Sequence, residues 1–191
     1  MTQHAPVTGR RLPSVALADA GLVLPPVAKP IAAYTPAAVL DGLTPSPGDL
    51  YVVATSGQLP FHEGELAATG HVGTDADWSG PVVDPDTAYQ CARYSALGAI
   101  AAAAQVAGGV DNLLAVTRVT AFVASQPTFT GQAAVANGAS ELFGDVFGTP
   151  GVDPEGRPYP TAHVRSAVGV AVLPLNAPVE VEVQFLALAP Q

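Results

Sequence analysis

Apolar residues recur along this chain with three rhythms, and each rhythm predicts a different element. After Asp84, small residues return at helical spacing, with Ala88, Cys91, Ala92, Ser95, Ala96, Ala99, Ile100 and Ala103 sharing one face. Asp84 stands at an N-cap, Pro85 takes the first helical position, Asp86 lies in the first turn, and Gly108-Gly109 supply the stop. A face of such small side chains lets a helix lie close against a sheet. A second helical period spans about Thr128 to Val146, from Pro127 near its start to Gly148 at its end. A shorter one covers Ser14 to Leu22, with Ser14 as its cap.

Alternation of period two marks the strands. Leu113 to Ala124 sets Val116, Arg118, Thr120 and Phe122 on one face, and Thr117, Val119, Ala121 and Val123 on the other. Val179 to Leu188 also alternates, with Glu180 and Glu182 on one face. Val39 to Leu43 and Leu50 to Thr55 read as a hairpin across the turn-rich residues 44–49. Gly57 then permits close backbone approach and Pro60 ends the pairing. Another extended piece, near Ala68 to Val72, follows a turn at Glu63-Gly64. Pro25, Pro26 and Pro30 impose an extended path toward Tyr34.

The third rhythm is an almost unbroken apolar run from Val164 to Pro174, which reads as a buried strand. A hairpin turn at Leu175 to Pro178 would pair it antiparallel with the last strand, setting Leu173 opposite Glu180 and Arg165 opposite Leu188. Residues 149–162 are proline- and glycine-rich and form an exposed loop, and residues 1–12 are loosely attached. The order of elements is an α+β sandwich in one domain, its helices covering one sheet face. The other face is left for sister subunits.

Composition sharpens this picture. Hydrophobic residues make up 49% and charged ones 12% of 191 residues, which favours an oligomer that hides apolar surface in subunit contacts. A formal charge of -9 with Lys29 as the single lysine argues against a surface that binds nucleic acid. Cys91 stands alone, so an intrachain disulfide is excluded and a reducing compartment, the cytoplasm, is the default. Despite Arg10-Arg11, the first residues lack the apolar core of an export signal, and no apolar window is long enough to cross a membrane.

Arg165 carries the candidate chemistry, because a guanidinium is rarely buried without a partner. Its planar fork suits a bidentate hold on a substrate carboxylate. Pairing with a glutamate in an interface is an equal alternative at this point. Glu180 would orient or deprotonate a water, or exchange a proton with an imine, and Glu182 on the same face competes for that role. The expected register keeps Arg165 and Glu180 of one chain apart. A shared site must then span a longer distance or draw on two subunits.

Other candidates are weaker. His4, His62, His71 and His163 lack the spacing of a metal site, so no metal is expected. His163 lies two residues before Arg165 and reads first as a hydrogen-bonded loop-end histidine, second as an aid to protonation. No serine sits in G-x-S-x-G, and Gly70-His71-Val72-Gly73 is too short to cradle phosphate. Cys91 reads as a buried small hydrophobe, Trp78 as a loop anchor, and Tyr34 as a half-buried ring with its hydroxyl in water.

Several short motifs in order extend this reading: Thr55-Ser56-Gly57-Gln58-Leu59-Pro60, Asn137, Val164-Arg165-Ser166-Ala167-Val168, Leu173-Pro174 and Val179-Glu180-Val181-Glu182. Together they resemble the Rid (YjgF-like) reactive-intermediate deaminase family. Leu24-Pro25, Gly70 to Gly73 and the run Asn137 to Gly148 resemble a less characterised branch of it. The resemblance implies a chorismate-mutase-like fold, assembled as a homotrimer with clefts between subunits. It implies that Arg165 binds a substrate carboxylate, that Glu180 helps place the hydrolytic water, and that Tyr34, Ser56, Gly57 and Asn137 line the cleft. The implied reaction, without metal or organic cofactor, is hydrolysis of 2-imino or 2-enamino acids to 2-keto acids and ammonia. A non-catalytic trimer that binds a metabolite or partner in the same clefts is the alternative. Ala167 stands where the archetype often has Cys or Thr, and residues 1–21 and 149–162 are additions to it.

Overall fold

A computed structural model of the chain describes residues 11–30, 32–40, 44–75, 77–148 and 163–190. Its elements run α1 (Pro13–Asp19), β1 (Ala37–Val39), β2 (Leu50–Thr55), β3 (Phe61–His62), β4 (Glu65–Leu66), β5 (His71–Val72), β6 (Val82–Val83), α2 (Pro85–Ala107), β7 (Leu113–Ala124), α3 (Gln132–Phe147), β8 (Val164–Val170) and β9 (Val179–Leu188). The α+β expectation holds. One five-stranded sheet in the order β1-β2-β9-β7-β8 carries α2 and α3 on one face, and β8 alone runs parallel to its neighbour.

The long helix follows its signals. Asp84 accepts the Thr87 N–H at 2.9 Å, Pro85 opens α2, and Gly108 closes it at φ 76°. The final strand also runs as its alternation predicts. Odd positions Val179, Val181, Val183, Phe185 and Ala187 are buried under the helices, while Glu180, Glu182 and Gln184 face the other way. β1 and β2 pair antiparallel as expected, with Val39 opposite Val53, but the first strand is Ala37–Val39 rather than Val39 to Leu43, of which residues 41–43 lie outside the described residues. Glu63-Gly64 turns β3 into β4 at positive φ.

Four further expectations need correction. The short first helix is not capped by Ser14: Leu12 holds that position, and Ser14 gives both its N–H and its hydroxyl to the Asp111 carboxylate at 2.9 and 2.8 Å. The extended piece near Ala68 shrinks to His71–Val72, which pairs in parallel with β6. The second helix starts at Gln132 rather than Thr128. Val116 joins the buried face instead of the face of Arg118, because a bulge between Val116 and Arg118 resets the alternation and sets Val116 opposite Phe185.

The largest correction concerns the arginine strand. It does not pair with β9, since β7 lies between them: Val119 faces Arg165 on one side and Val183 on the other. The chain leaves β7, crosses the helical layer as α3, and so returns parallel to β7, as a crossover connection requires. The stretch Pro174–Asn176 is a 3-10 turn with Leu175 and Asn176 at positive φ, and it carries the chain on to β9 rather than closing a hairpin. Nor is the strand buried in one chain. As an edge strand on an uncovered face it leaves Val164 61% and Val168 42% exposed. The 149–162 loop and residues 1–10 lie outside the described residues.

Small residues set the depth of the helical layer, as their face on α2 predicts. Gly138 of α3 meets α2 so closely that a Cβ there would collide with the Tyr89 carbonyl oxygen. Alanine normally gains about 1 kcal/mol over glycine in a helix interior. Here the helices would have to part, so Gly138→Ala is expected to lower the unfolding free energy by about 1–3 kcal/mol. Urea denaturation measures this, and an unchanged midpoint would contradict backbone contact between the helices.

Candidate functional site

The alternation of β8 points Arg165 toward the helical layer, in register with buried Val119. There α3 meets it with positions 133, 137 and 140, which share one helix face. Nη1 donates to Asn137 Oδ1 at 2.9 Å and to Ser140 Oγ at 2.8 Å, and Nη2 donates to the Ala133 carbonyl at 3.1 Å. All three acceptors are neutral. No carboxylate lies within ion-pair distance of Arg165 among the described residues. A guanidinium has five N–H donors, so the Nε–H and one Nη2–H are left without a protein acceptor there. For the interface-glutamate reading, no glutamate among the described residues of the chain serves as that partner. What is built is a held, uncompensated cation with an open fork.

Ser140 reaches a second group. Its hydroxyl lies 2.9 Å from His163 Nε2, and Phe143 meets that imidazole edge-on with ring centroids 6.0 Å apart. Burial, and then the neighbouring Arg165 charge, hold His163 below its ordinary value. The reading of His163 as a hydrogen-bonded histidine stands.

Glu180 belongs to a different cluster. It faces away from the helices, in register with Phe122, and through Phe122 with Val168. Beyond β2 the chain bridges Gln58 to Val181, which brings Gly57 beneath Glu180 so closely that a Cβ would overlap the carboxylate. Ser56 donates its hydroxyl to the Thr35 carbonyl at 2.6 Å, tying this corner to the bend that bears Tyr34, itself 46% exposed. The Glu180 carboxylate has no hydrogen-bond donor among the described residues. Burial, and then the like charge of Glu182, raise its pKa. Glu182 is exposed on the same face, so of the two glutamates Glu180 is the desolvated one.

The six predicted site residues therefore fall into two groups. Arg165 and Asn137 sit at the β8 edge on the helical side, while Tyr34, Ser56, Gly57 and Glu180 sit at the β1–β2 side, with Glu180 on the open face. One chain does not bring them together. Ser140 and the Ala133 carbonyl went unread in the sequence, although Asn137 and Ser140 are polar residues three apart on an apolar helix, which is a same-face signal. Cys91 is buried and its thiol is pushed up to about 11, first by burial and then by Asp84, which suits packing rather than attack. Trp78 packs its ring on His71 at 4.9 Å, in keeping with a loop anchor. No group of three or more His, Cys, Asp or Glu gathers among the described residues, and no helix there is long and apolar enough to cross a membrane.

Sheet order, parallel edge strand and helical cover define an α+β protein that offers an arginine at one edge and a desolvated glutamate on its open face. Residues 28–187 match the endoribonuclease L-PSP family, also known as YjgF/Rid, and the chain belongs to it. The resemblance carried by the short motifs is thereby upheld. Protein TCP17 of Trypanosoma cruzi is 37% identical over 162 residues, covering 85% of this chain and 86% of that protein. A candidate endoribonuclease from Shewanella oneidensis superposes with a TM-score of 0.71 at 26% identity, covering 92% of this chain and 99% of that one. An Agrobacterium tumefaciens protein of unknown function superposes with a TM-score of 0.66 at 33% identity, covering 92% and 93%.

The state of Glu180 is measurable through stability. Its raised pKa means that the folded chain keeps this proton to higher pH than the unfolded chain, so stability from this residue falls as pH rises above the ordinary glutamate range. Glu180→Gln is therefore expected to raise the melting temperature relative to the native chain at pH 8 and to lose that advantage at pH 4. An equal difference at both pH values would mean that the carboxylate is fully hydrated.

Proposed function

We propose that this protein binds a 2-imino, 2-enamino or 2-keto acid in clefts between the subunits of a chorismate-mutase-like homotrimer, and hydrolyses reactive imines and enamines to the 2-keto acid and ammonia. The single observation behind this reading is the division of charge: an open guanidinium fork at one sheet edge and a desolvated carboxylate on the opposite face. Neither has a partner of opposite charge among the described residues. A head-to-tail contact closing a three-fold ring would bring the Arg165 edge of one subunit to the Glu180 face of the next. The exposed Val164, Val168 and Leu50 on the uncovered face offer apolar area for it.

In this cleft the Nε–H and Nη2–H of Arg165 take the substrate carboxylate as a bidentate pair. Glu180 accepts a proton from water as the water oxygen bonds to C2 of the protonated imine, and the C=N electron pair passes to nitrogen. Glu180 then returns that proton to the nitrogen of the carbinolamine. As the C–N bond breaks, the C2–O bond becomes a carbonyl, and the hydroxyl proton leaves with ammonia as ammonium. A carboxylate with a raised pKa is a better base toward water and still gives the proton back to nitrogen, which suits both halves of this exchange. Gly57 makes room for Glu180, Ser56 fixes the Tyr34 bend, and Asn137 steadies the arginine. No metal or organic cofactor enters the scheme. We take the chain as one cytoplasmic domain, with residues 1–21 as an extension and 149–162 as an inserted loop.

The alternative is a trimer of the same fold that binds a metabolite or partner without turnover. RNA cleavage, the activity in the family's description, is disfavoured by the charge of -9. Release of 2-keto acid from freshly generated 2-imino acids should exceed the buffer rate with the native protein. Arg165→Ala should cut the acceleration about 10²-fold or more. No acceleration with any of several imines leaves the non-catalytic reading. The two-subunit site has its own test: co-refolding inactive Arg165→Ala and Glu180→Gln chains in equal amounts should restore about a quarter of native activity, because one site in four in a random ring draws both residues intact. No restoration would place both residues of each site in one chain.

A further inference from the structure

Ser140 links the Arg165 guanidinium to the His163 imidazole. The serine oxygen accepts from Arg165 Nη1 at 2.8 Å, and its own proton is available to a further acceptor. His163 Nε2 lies 2.9 Å away. The relay requires one of the two tautomers, that with the ring proton on Nδ1, in which Nε2 accepts the serine proton through its lone pair. Donation then runs from Arg165 to Ser140 to His163, each bond polarising the next. Phe143, edge-on to the imidazole, holds the ring in this plane.

The cradle is otherwise made of neutral acceptors from α3, so among the described residues nothing charged pins the guanidinium. The geometry points to Ser140 and His163 as positioning residues for Arg165: the relay holds Nη1 so that the Nε–H and Nη2–H stay turned toward an incoming carboxylate. This rests on the reading of Arg165 as a carboxylate anchor. Removing the serine hydroxyl deletes one of two acceptors on Nη1. Removing the histidine lone pair frees the serine proton to turn toward the acceptors that the arginine uses.

Pyruvate, a simple 2-keto acid, is the probe, with its binding to the full-length protein measured by calorimetry. Ser140→Ala and His163→Leu are expected to weaken pyruvate about tenfold or more, the scale of a hydrogen bond to a charged group. His163→Gln, whose amide oxygen can accept the same bond, should stay within about threefold of native on that scale. Arg165→Ala should abolish binding. Native-like affinity in Ser140→Ala and His163→Leu alongside loss in Arg165→Ala overturns the relay and leaves the anchor. A His163→Gln variant as weak as His163→Leu overturns the relay too, because ring volume would then be the cause. Absence of native binding, or binding insensitive to Arg165→Ala, removes the anchor and the relay with it. Nitrogen-15 spectra of histidine-labelled protein, assigned with His163→Gln, supply the independent readout: at pH 7 His163 is expected as the Nδ1–H tautomer, and a protonated Nε2 overturns the relay.

Discussion

Two parallel neighbouring strands cannot be joined by a tight turn, and this constraint organises the molecule. After β7 the chain must cross the helical layer before it can return as β8, so α3 comes to lie over the strand that carries Arg165. β9 enters between β2 and β7, and β8 is left at the edge. The arginine cradle, the exposed apolar face of β8 and the separation of Arg165 from Glu180 all follow from that one crossing. Glycine and alanine make the crossing shallow, since Gly138 lets α3 meet the α2 backbone.

The two charged residues are kept in opposite electrostatic conditions. Among the described residues Arg165 is steadied by dipoles, which hold its geometry without neutralising it. Glu180 is partly desolvated, beside a like charge and above a glycine, which favours its protonated form. A pair placed in contact within one chain would have quenched both properties, the cation losing its open donors and the acid its raised pKa. The sheet keeps the two groups apart: Arg165 lies on its helical face and Glu180 on the other.

Local signals were legible and non-local ones were not. Asp84, Pro85 and Gly108 fixed the ends of α2 because capping is decided within a few residues. The alternation of β9 sorted its two faces correctly, and the glutamates with them. Strand partners are a different matter: the apolar run after Val164 reads equally well as one half of a hairpin or as a crossover strand, and only the placement of α3 decides. Val116 was misassigned because a bulge leaves no mark in the alternation that precedes it. Ser14 carries the residue type of a cap, yet the nearby Asp111 carboxylate is the stronger acceptor for its donors. Within the site, Arg165 and Glu180 stood out by type and setting, while Ser140 was hidden by being an ordinary helical serine until its neighbours on α3 and β8 were known.

The uncompensated guanidinium stands on a chain whose formal charge is -9. A net negative charge repels an anion in proportion to the anion's own charge, whereas a carboxylate anchor at Arg165, as proposed, would grip one carboxylate whatever the rest of the ligand carries. A small monoacid meets little repulsion for that single grip; a polyanion meets many times more for no added grip. On the proposed reading, the net charge would act as a valence filter around the arginine, favouring ligands by how few charges they bring.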